Sequence, residues 1–191
     1  MDRSSDRSDQ LYIITGGPGV GKTTVLNELD KMGFLTVPEE ARMIIKQQVS
    51  IDGAGLPWRN KELYAELMFR ASLETYHTIK NTGSKDMVFF DRGLLDTVCY
   101  MNMENIHVPM QTVQAVHETK YNPNVFILPP WKEIYEKDRE RKQDWEEAVI
   151  TFEKMKQTYL DYGYTLIEVP KENVDKRIQF ILDQIKDLGR F

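Results

Sequence analysis

The sequence predicts a three-layer α/β domain built on a five-stranded parallel sheet. Two observations carry this. Short apolar runs rich in β-branched and aromatic residues recur at 11–15, 34–37, 86–90, 125–128 and 164–169. Between them lie segments whose apolar residues repeat with the period of a helix. Strands buried on both faces read as continuous apolar runs, and parallel strands need crossovers long enough to hold a helix.

Each element follows from its own pattern. Residues 23–32 carry Val25, Leu29 and Met32 at helical spacing, and Gly33 follows as a C-terminal stop. Residues 39–48 read as a helix, and 51–60, with Gly53, Gly55 and Pro57, as a loop. Residues 61–80 form a long helix with Tyr64, Leu67, Met68, Ala71 and Thr75 on one stripe. Helices are expected around 94–101 and 109–120. Pro129 and Pro130 end the fourth strand, and Pro170 ends the fifth. Trp145, Ala148, Phe152, Met155 and Tyr159 mark a sixth helix, and Val174, Ile178, Ile181 and Ile185 a last one. The polar residues 1–10 read as a frayed, disordered tail, leaving 11–191 as a single domain. The densely charged stretch 132–144 reads as part of a helical lid, about 130–144, within that domain.

Bulk properties narrow the function. The chain has 191 residues, 41% hydrophobic and 29% charged, with a net charge of −5. These are values of an ordinary globular protein. The acidic balance argues against an electrostatic nucleic-acid binder, and no apolar run reaches membrane-spanning length. Cys99 is the single cysteine, so no intrachain disulfide forms and a reducing, cytoplasmic setting is the default expectation. Oligomeric state is left open by composition.

The strongest motif is Gly16-Gly17-Pro18-Gly19-Val20-Gly21-Lys22-Thr23, a full match to G-x-x-x-x-G-K-[ST] between a strand and a helix. Glycines let the chain turn so tightly that backbone N–H groups converge on phosphates, and the following helix adds its positive end. Gly17, Pro18, Gly19, Val20, Gly21, Lys22, Thr23 and Thr24 are therefore the expected nucleotide-binding residues. Lys22 reaches the β- and γ-phosphates, and the Thr23 hydroxyl ligates Mg²⁺. The fold is thus expected to be a P-loop NTPase fold.

Asp91-Arg92-Gly93 follows the third strand run. Ligands of open parallel sheets bind beyond the carboxyl ends of the strands, which sets Asp91 beside the phosphate loop as a ligand of Mg²⁺ or an acceptor of a hydroxyl proton. Arg92 is placed to contact a phosphate. Glu39, Glu40 and Arg42 follow the second strand at the start of a helix. Acidic residues there complement the helix dipole without further cause, but a Glu in that position also suits binding of a sugar hydroxyl or general-base work.

This layout resembles the nucleoside and nucleotide kinase group of P-loop proteins. More narrowly, it resembles the predicted-ATPase/kinase family that includes the ribosylnicotinamide kinase domain of NadR-type proteins. The resemblance rests on the phosphate loop, Glu-Glu-Ala-Arg at 39–42, Asp-Arg-Gly at 91–93 and Leu-Pro-Pro at 128–130. It implies a nucleoside-kinase-like fold and phosphoryl transfer to a small acceptor, with Glu39, Glu40 and Arg42 at the substrate site. Nothing matches the Asn-Lys-x-Asp guanine-reading element, so ATP with Mg²⁺ is the expected nucleotide. Kinases of this group carry lid arginines that stabilise the transferring phosphoryl group, which points to Arg139 or Arg141. Arg70 lies on the long helix near the expected cleft edge, although Glu66 four residues earlier offers it an ion-pair partner. His77, His107 and His117 show no metal-ligand spacing.

The function expected is a kinase that transfers the γ-phosphate of Mg-ATP to a small hydroxyl acceptor such as a nucleoside or ribosyl compound. The alternatives are a nucleoside monophosphate kinase and a regulatory ATP-binding or ATPase module acting through a protein partner. A ring-forming ATPase motor is disfavoured because the chain is short for the helical subdomain such motors add.

Overall fold

The computed structural model describes residues 7–82, 86–134 and 144–189. Five strands, β1 (Leu11–Gly16), β2 (Leu35–Val37), β3 (Val88–Asp91), β4 (Asn124–Leu128) and β5 (Thr165–Glu168), form one sheet in the order β2-β3-β1-β4-β5. All four pairings are parallel, with Ile13 beside Phe90 and Ile14 beside Phe126. Helices α1 (Lys22–Lys31), α2 (Glu40–Ser50), α3 (Lys61–Asn81), α4 (Leu94–Met103), α5 (Met110–Glu118), α6 (Trp145–Asp161) and α7 (Val174–Asp187) make the crossovers and the C-terminal cover. The expected three-layer α/β architecture and its five parallel strands are present.

Side chains of β1 alternate between the two faces, as the two-residue strand period requires. Leu11 and Ile13 join Val88, Phe90, Phe69, Tyr76, Leu94 and Val98 in one core layer. Tyr12 and Ile14 join Phe89, Phe126, Val25, Leu29, Ile178 and Ile181 in the other. Strand β1 is buried along its whole length. This is why it reads as an unbroken apolar run rather than an alternating one.

The helix ends are set by local chemistry. Asn60 accepts a hydrogen bond from the Leu63 N–H at the start of α3, and Asn173 accepts one from the Lys176 N–H at the start of α7. Asp144 and Glu147 form a reciprocal capping box that opens α6.

The N-terminal segment departs from expectation. Where polar composition predicts a frayed tail through Gln10, Arg7–Gln10 form a 3-10 turn against the sheet end. Arg7 donates to the Lys80 carbonyl at 2.8 Å, and the Asn122 amide donates to the Asp9 carbonyl at 2.7 Å. Long-range partners that no local pattern reveals hold this turn. Of the expected lid, Lys132–Ile134 form a 3-10 turn, while residues 135–143, including Arg139 and Arg141, lie outside the described residues.

Candidate active site at the carboxyl edge of the sheet

The chain leaves β1 at Gly16, where φ is +141° and an added Cβ would lie 2.6 Å from the Leu128 carbonyl oxygen. Only glycine accepts both the left-handed backbone and the approach to β4. The loop re-enters helix at Gly21, with φ +89°, and α1 begins at Lys22. Lys22 is 7% exposed, and its ammonium donates to the carbonyls of Gly16 and Gly17 at 2.8 and 2.9 Å, folding back across its own loop. Burial pulls its pKa down to about 8, the Arg92 guanidinium adds to the shift, and Asp91, Glu39 and Asp96 oppose it. Thr23 and Thr24 are exposed to the cleft alongside.

Asp91 is the last residue of β3, one strand away from the loop. Its Oδ1 is buried and has no hydrogen-bond partner among the described residues. Burial raises its pKa, with the Lys22 ammonium as the main counterweight. A buried carboxylate oxygen left unpaired is costly, and such an oxygen fits a metal-bound water or a substrate hydroxyl. The loop geometry, the Lys22 ammonium and the Thr23 hydroxyl fit a nucleotide polyphosphate with Mg²⁺. That ion typically takes one or two protein oxygens plus phosphates and water rather than a full protein cage.

Arg92 has φ +75°, a left-handed conformation that costs a non-glycine residue roughly 1–2 kcal/mol. Three interactions hold it there. Its N–H donates to the Ile14 carbonyl at 3.1 Å, its Nε to Glu39 Oε1 at 2.8 Å, and its Nη1 to Asp96 Oδ1 at 3.1 Å. The guanidinium thus spans two carboxylates. Burial pushes the Glu39 carboxyl up, but Arg92, Lys22 and Arg42 together outweigh it and hold it below the usual range.

Asp96 is the residue that sequence reasoning missed. It sits in the first turn of α4 and accepts from four donors: Arg92, the Thr15 hydroxyl, the Gly93 N–H at 2.8 Å and the Tyr159 hydroxyl at 2.6 Å. It therefore ties β1, the β3 end and α6 to one point. The signal available was a carboxylate three residues into a helix opened by glycine, at a capping-box position.

Two hollows meet here. A cleft of about 670 Å³ runs from the phosphate loop and Arg42 to Trp131, Asn173 and Arg177. A cavity of about 240 Å³ lies on the other side, lined by Glu40, Tyr64, Met68, Phe90, Tyr100, Tyr121 and Met155 among others. Both are walled by Pro18, Glu39, Ala41, Tyr64 and Arg92. Glu40 accepts from the Thr75 hydroxyl on the cavity side. Arg42 is largely exposed, 4.0 Å from Glu39. Arg70 pairs with Glu66 at 2.8 Å on the open face of α3 and lines neither hollow. The candidates Lys22, Glu39, Asp91 and Arg92 thus come together, Glu40 and Arg42 flank them, and Arg70 stands apart.

Fold and residues together define a P-loop domain of the kinase-like type. A family model described as AAA domain matches residues 11–177, and the chain belongs to that family. No curated protein sequence matches it. Among solved structures, the fold is similar to the NadR protein in complex with NR, with a TM-score of 0.67 and 16% identity over 95% of this chain. The chain spans about half of that protein, 51% of its length. It is also similar to deoxyadenosine kinase from M. mycoides with bound dATP (TM-score 0.56, 17% identity, 92% of this chain and 99% of that one). A third is thymidylate kinase from Candida albicans (TM-score 0.60, 15% identity, 95% of this chain and 93% of that one). At these identities the likeness is one of fold. No described helix is long and apolar enough to cross a membrane.

Proposed function

We propose that the chain is an ATP-dependent phosphotransferase whose acceptor is a small molecule bearing a hydroxyl group, such as a nucleoside or ribosyl compound. The observation that carries this is the shared wall between the two hollows. A phosphoryl donor on the loop side and an acceptor on the cavity side would meet at Glu39, Arg92 and the free oxygen of Asp91. Similar small-molecule kinases, named above, support the reading by fold alone.

In this reading the loop N–H groups and Lys22 hold the β- and γ-phosphates, and Thr23 offers its hydroxyl to Mg²⁺. Bound Mg²⁺ would neutralise charge on the phosphate oxygens. The acceptor hydroxyl attacks the γ-phosphorus, the bond from that phosphorus to the β–γ bridging oxygen breaks, and ADP leaves. The hydroxyl proton passes to Asp91, whose raised pKa makes it a stronger base than an exposed carboxylate. Glu39, fixed by Arg92, holds the acceptor. Arg139 or Arg141 would stabilise the transferring group from the lid.

Among the described residues, the cavity carries the carboxylates Glu39, Glu40, Asp91, Asp96 and Glu104, and Arg92 is its single lining Arg or Lys, already spanning two of them. That charge disfavours a monophosphate acceptor. ADP release from Mg-ATP should therefore rise at least about tenfold with a neutral nucleoside or ribosyl compound from a panel, and not with nucleoside monophosphates. Release that no acceptor stimulates would exclude the kinase reading in favour of a regulatory ATPase.

Lys22 gives a pH test. Well below pH 8 its ammonium is mostly present before and after binding, so binding takes up little proton there. Above pH 8 it is neutral in the free protein and must be recharged beside the phosphates. Calorimetry in two buffers of different ionisation enthalpy should read an uptake that grows from about a tenth of a proton at pH 7 to about one at pH 9. Uptake that stays flat between those values would contradict the assignment of Lys22.

A further inference from the structure

Among the described residues, the nucleotide cleft contains one buried cation that the mechanism above does not use. Arg177, in the first turns of α7, is 3% exposed. Its Nε donates to the Pro170 carbonyl at 3.0 Å, just past β5, and its Nη1 donates to the Val20 carbonyl at 2.9 Å, inside the phosphate loop. The guanidinium lies 5.1 Å over the Trp131 ring, at the end of β4. Its Nη2 is buried and has no partner among the described residues.

We infer that Arg177 is a positioning residue for nucleotide binding, which holds the Val20–Gly21 turn of the phosphate loop in its phosphate-accepting shape from behind. The inference rests on reading that loop as a polyphosphate cradle. Three observations lead to it. The hydrogen bond to Val20 acts on the residue next to Gly21, where the chain turns through φ +89° into α1. The Arg177 Nη1 sits 2.9 Å from where a Gly21 Cβ would be, so guanidinium and glycine fit each other. The position also retains a buried donor without a partner among the described residues, an expense that helix packing alone does not require. Leu or Met would fill the same space without that cost.

A planar guanidinium can reach two carbonyls and a ring face together, and an ammonium cannot. Pro170 and Trp131 anchor the fork to the ends of β5 and β4, and the loop is thereby referenced to the rigid sheet.

The test is calorimetric binding of Mg-ATP and, separately, of inorganic tripolyphosphate with Mg²⁺ to the full chain. The variants are Arg177→Met, Arg177→Lys and, as a control, Ile185→Ala. Ile185 lies two turns further along α7 in the core, so its variant loses stability while both Arg177 hydrogen bonds stay in place. Arg177→Met is expected to weaken both ligands about tenfold or more, and Arg177→Lys by less, because the lost contact acts on the phosphates and not on the base. Ile185→Ala is expected to bind both as wild type does. If Arg177→Met does not fold, the graded loss in Arg177→Lys carries the same reading. Unchanged affinity in a folded Arg177 variant would overturn the inference. So would weakening confined to ATP, or equal weakening by Ile185→Ala. Wild-type protein that binds neither ligand would instead remove the cradle reading beneath it.

Discussion

Asp91→Asn should raise the thermal midpoint of the ligand-free protein while lowering the phosphotransfer rate by on the order of 10³-fold. The two effects have one cause. Burial raises the Asp91 pKa, so ionising it costs more in the folded protein than in the unfolded chain, and its Oδ1 has no partner among the described residues. The sign follows from linkage. A carboxyl whose folded pKa lies above its unfolded value costs stability once the pH exceeds the unfolded value, and an amide of the same shape removes that cost. The same amide cannot take the acceptor's proton. Differential scanning calorimetry and acceptor-dependent ADP release on the same preparation would check both arms. A variant that loses stability and activity together would mark Asp91 as structural and sink its proposed role.

The opposite pattern is expected of Asp96→Ala. Removing this carboxylate strips Arg92, Thr15, Tyr159 and the Gly93 N–H of a common acceptor and leaves a half-buried guanidinium with Glu39 alone. Breaking a buried pair from one side typically costs about 3–5 kcal/mol. For a chain of this size that lowers the midpoint by on the order of 10 °C. Tyr159→Phe removes one of the four donors and should cost about 1 kcal/mol in the wild type and far less in Asp96→Ala. A double-mutant cycle by urea unfolding measures this coupling. Additive losses would show that Tyr159 and Asp96 act separately.

The contrast between these aspartates explains what the sequence makes legible. Asp91 ends an apolar run, so its place at the strand edge follows from periodicity and the known side of ligand binding in parallel sheets. Asp96 lies inside Leu94-Leu95-Asp96-Thr97-Val98, which reads as packing, and its donors come from as far as residue 159. Arg177 is masked in the same way. It occupies a strongly amphipathic helix where an arginine reads as surface, and its partner Val20 is 157 residues away. The phosphate loop was legible because its chemistry is local: glycines, a lysine and a threonine in one continuous turn. Arg92 stood between these cases. Its position was legible, but not its grip on Glu39 and Asp96, which depends on how the ends of β2 and β3 come together.

The sheet order has a consequence for how such a protein diversifies. With β1 central, the loop after it is a boundary. The ends of β2 and β3 open on one side of it, and those of β4 and β5 on the other. Beyond β4 and among the described residues, the proposed acceptor cavity draws only on Thr151 and Met155, whereas the far end of the proposed nucleotide cleft is made by Trp131, Ile134, Glu172, Asn173, Val174 and Arg177. In the proposed reading, donor and acceptor recognition share Pro18, Glu39, Ala41, Tyr64 and Arg92 and otherwise draw on different side chains. Substitutions at positions that line the cavity alone, such as Met68, Ser72, Tyr100 and Met103, would then retune the choice of acceptor in a lineage, or on the bench, while the residues that grip the donor are inherited unchanged.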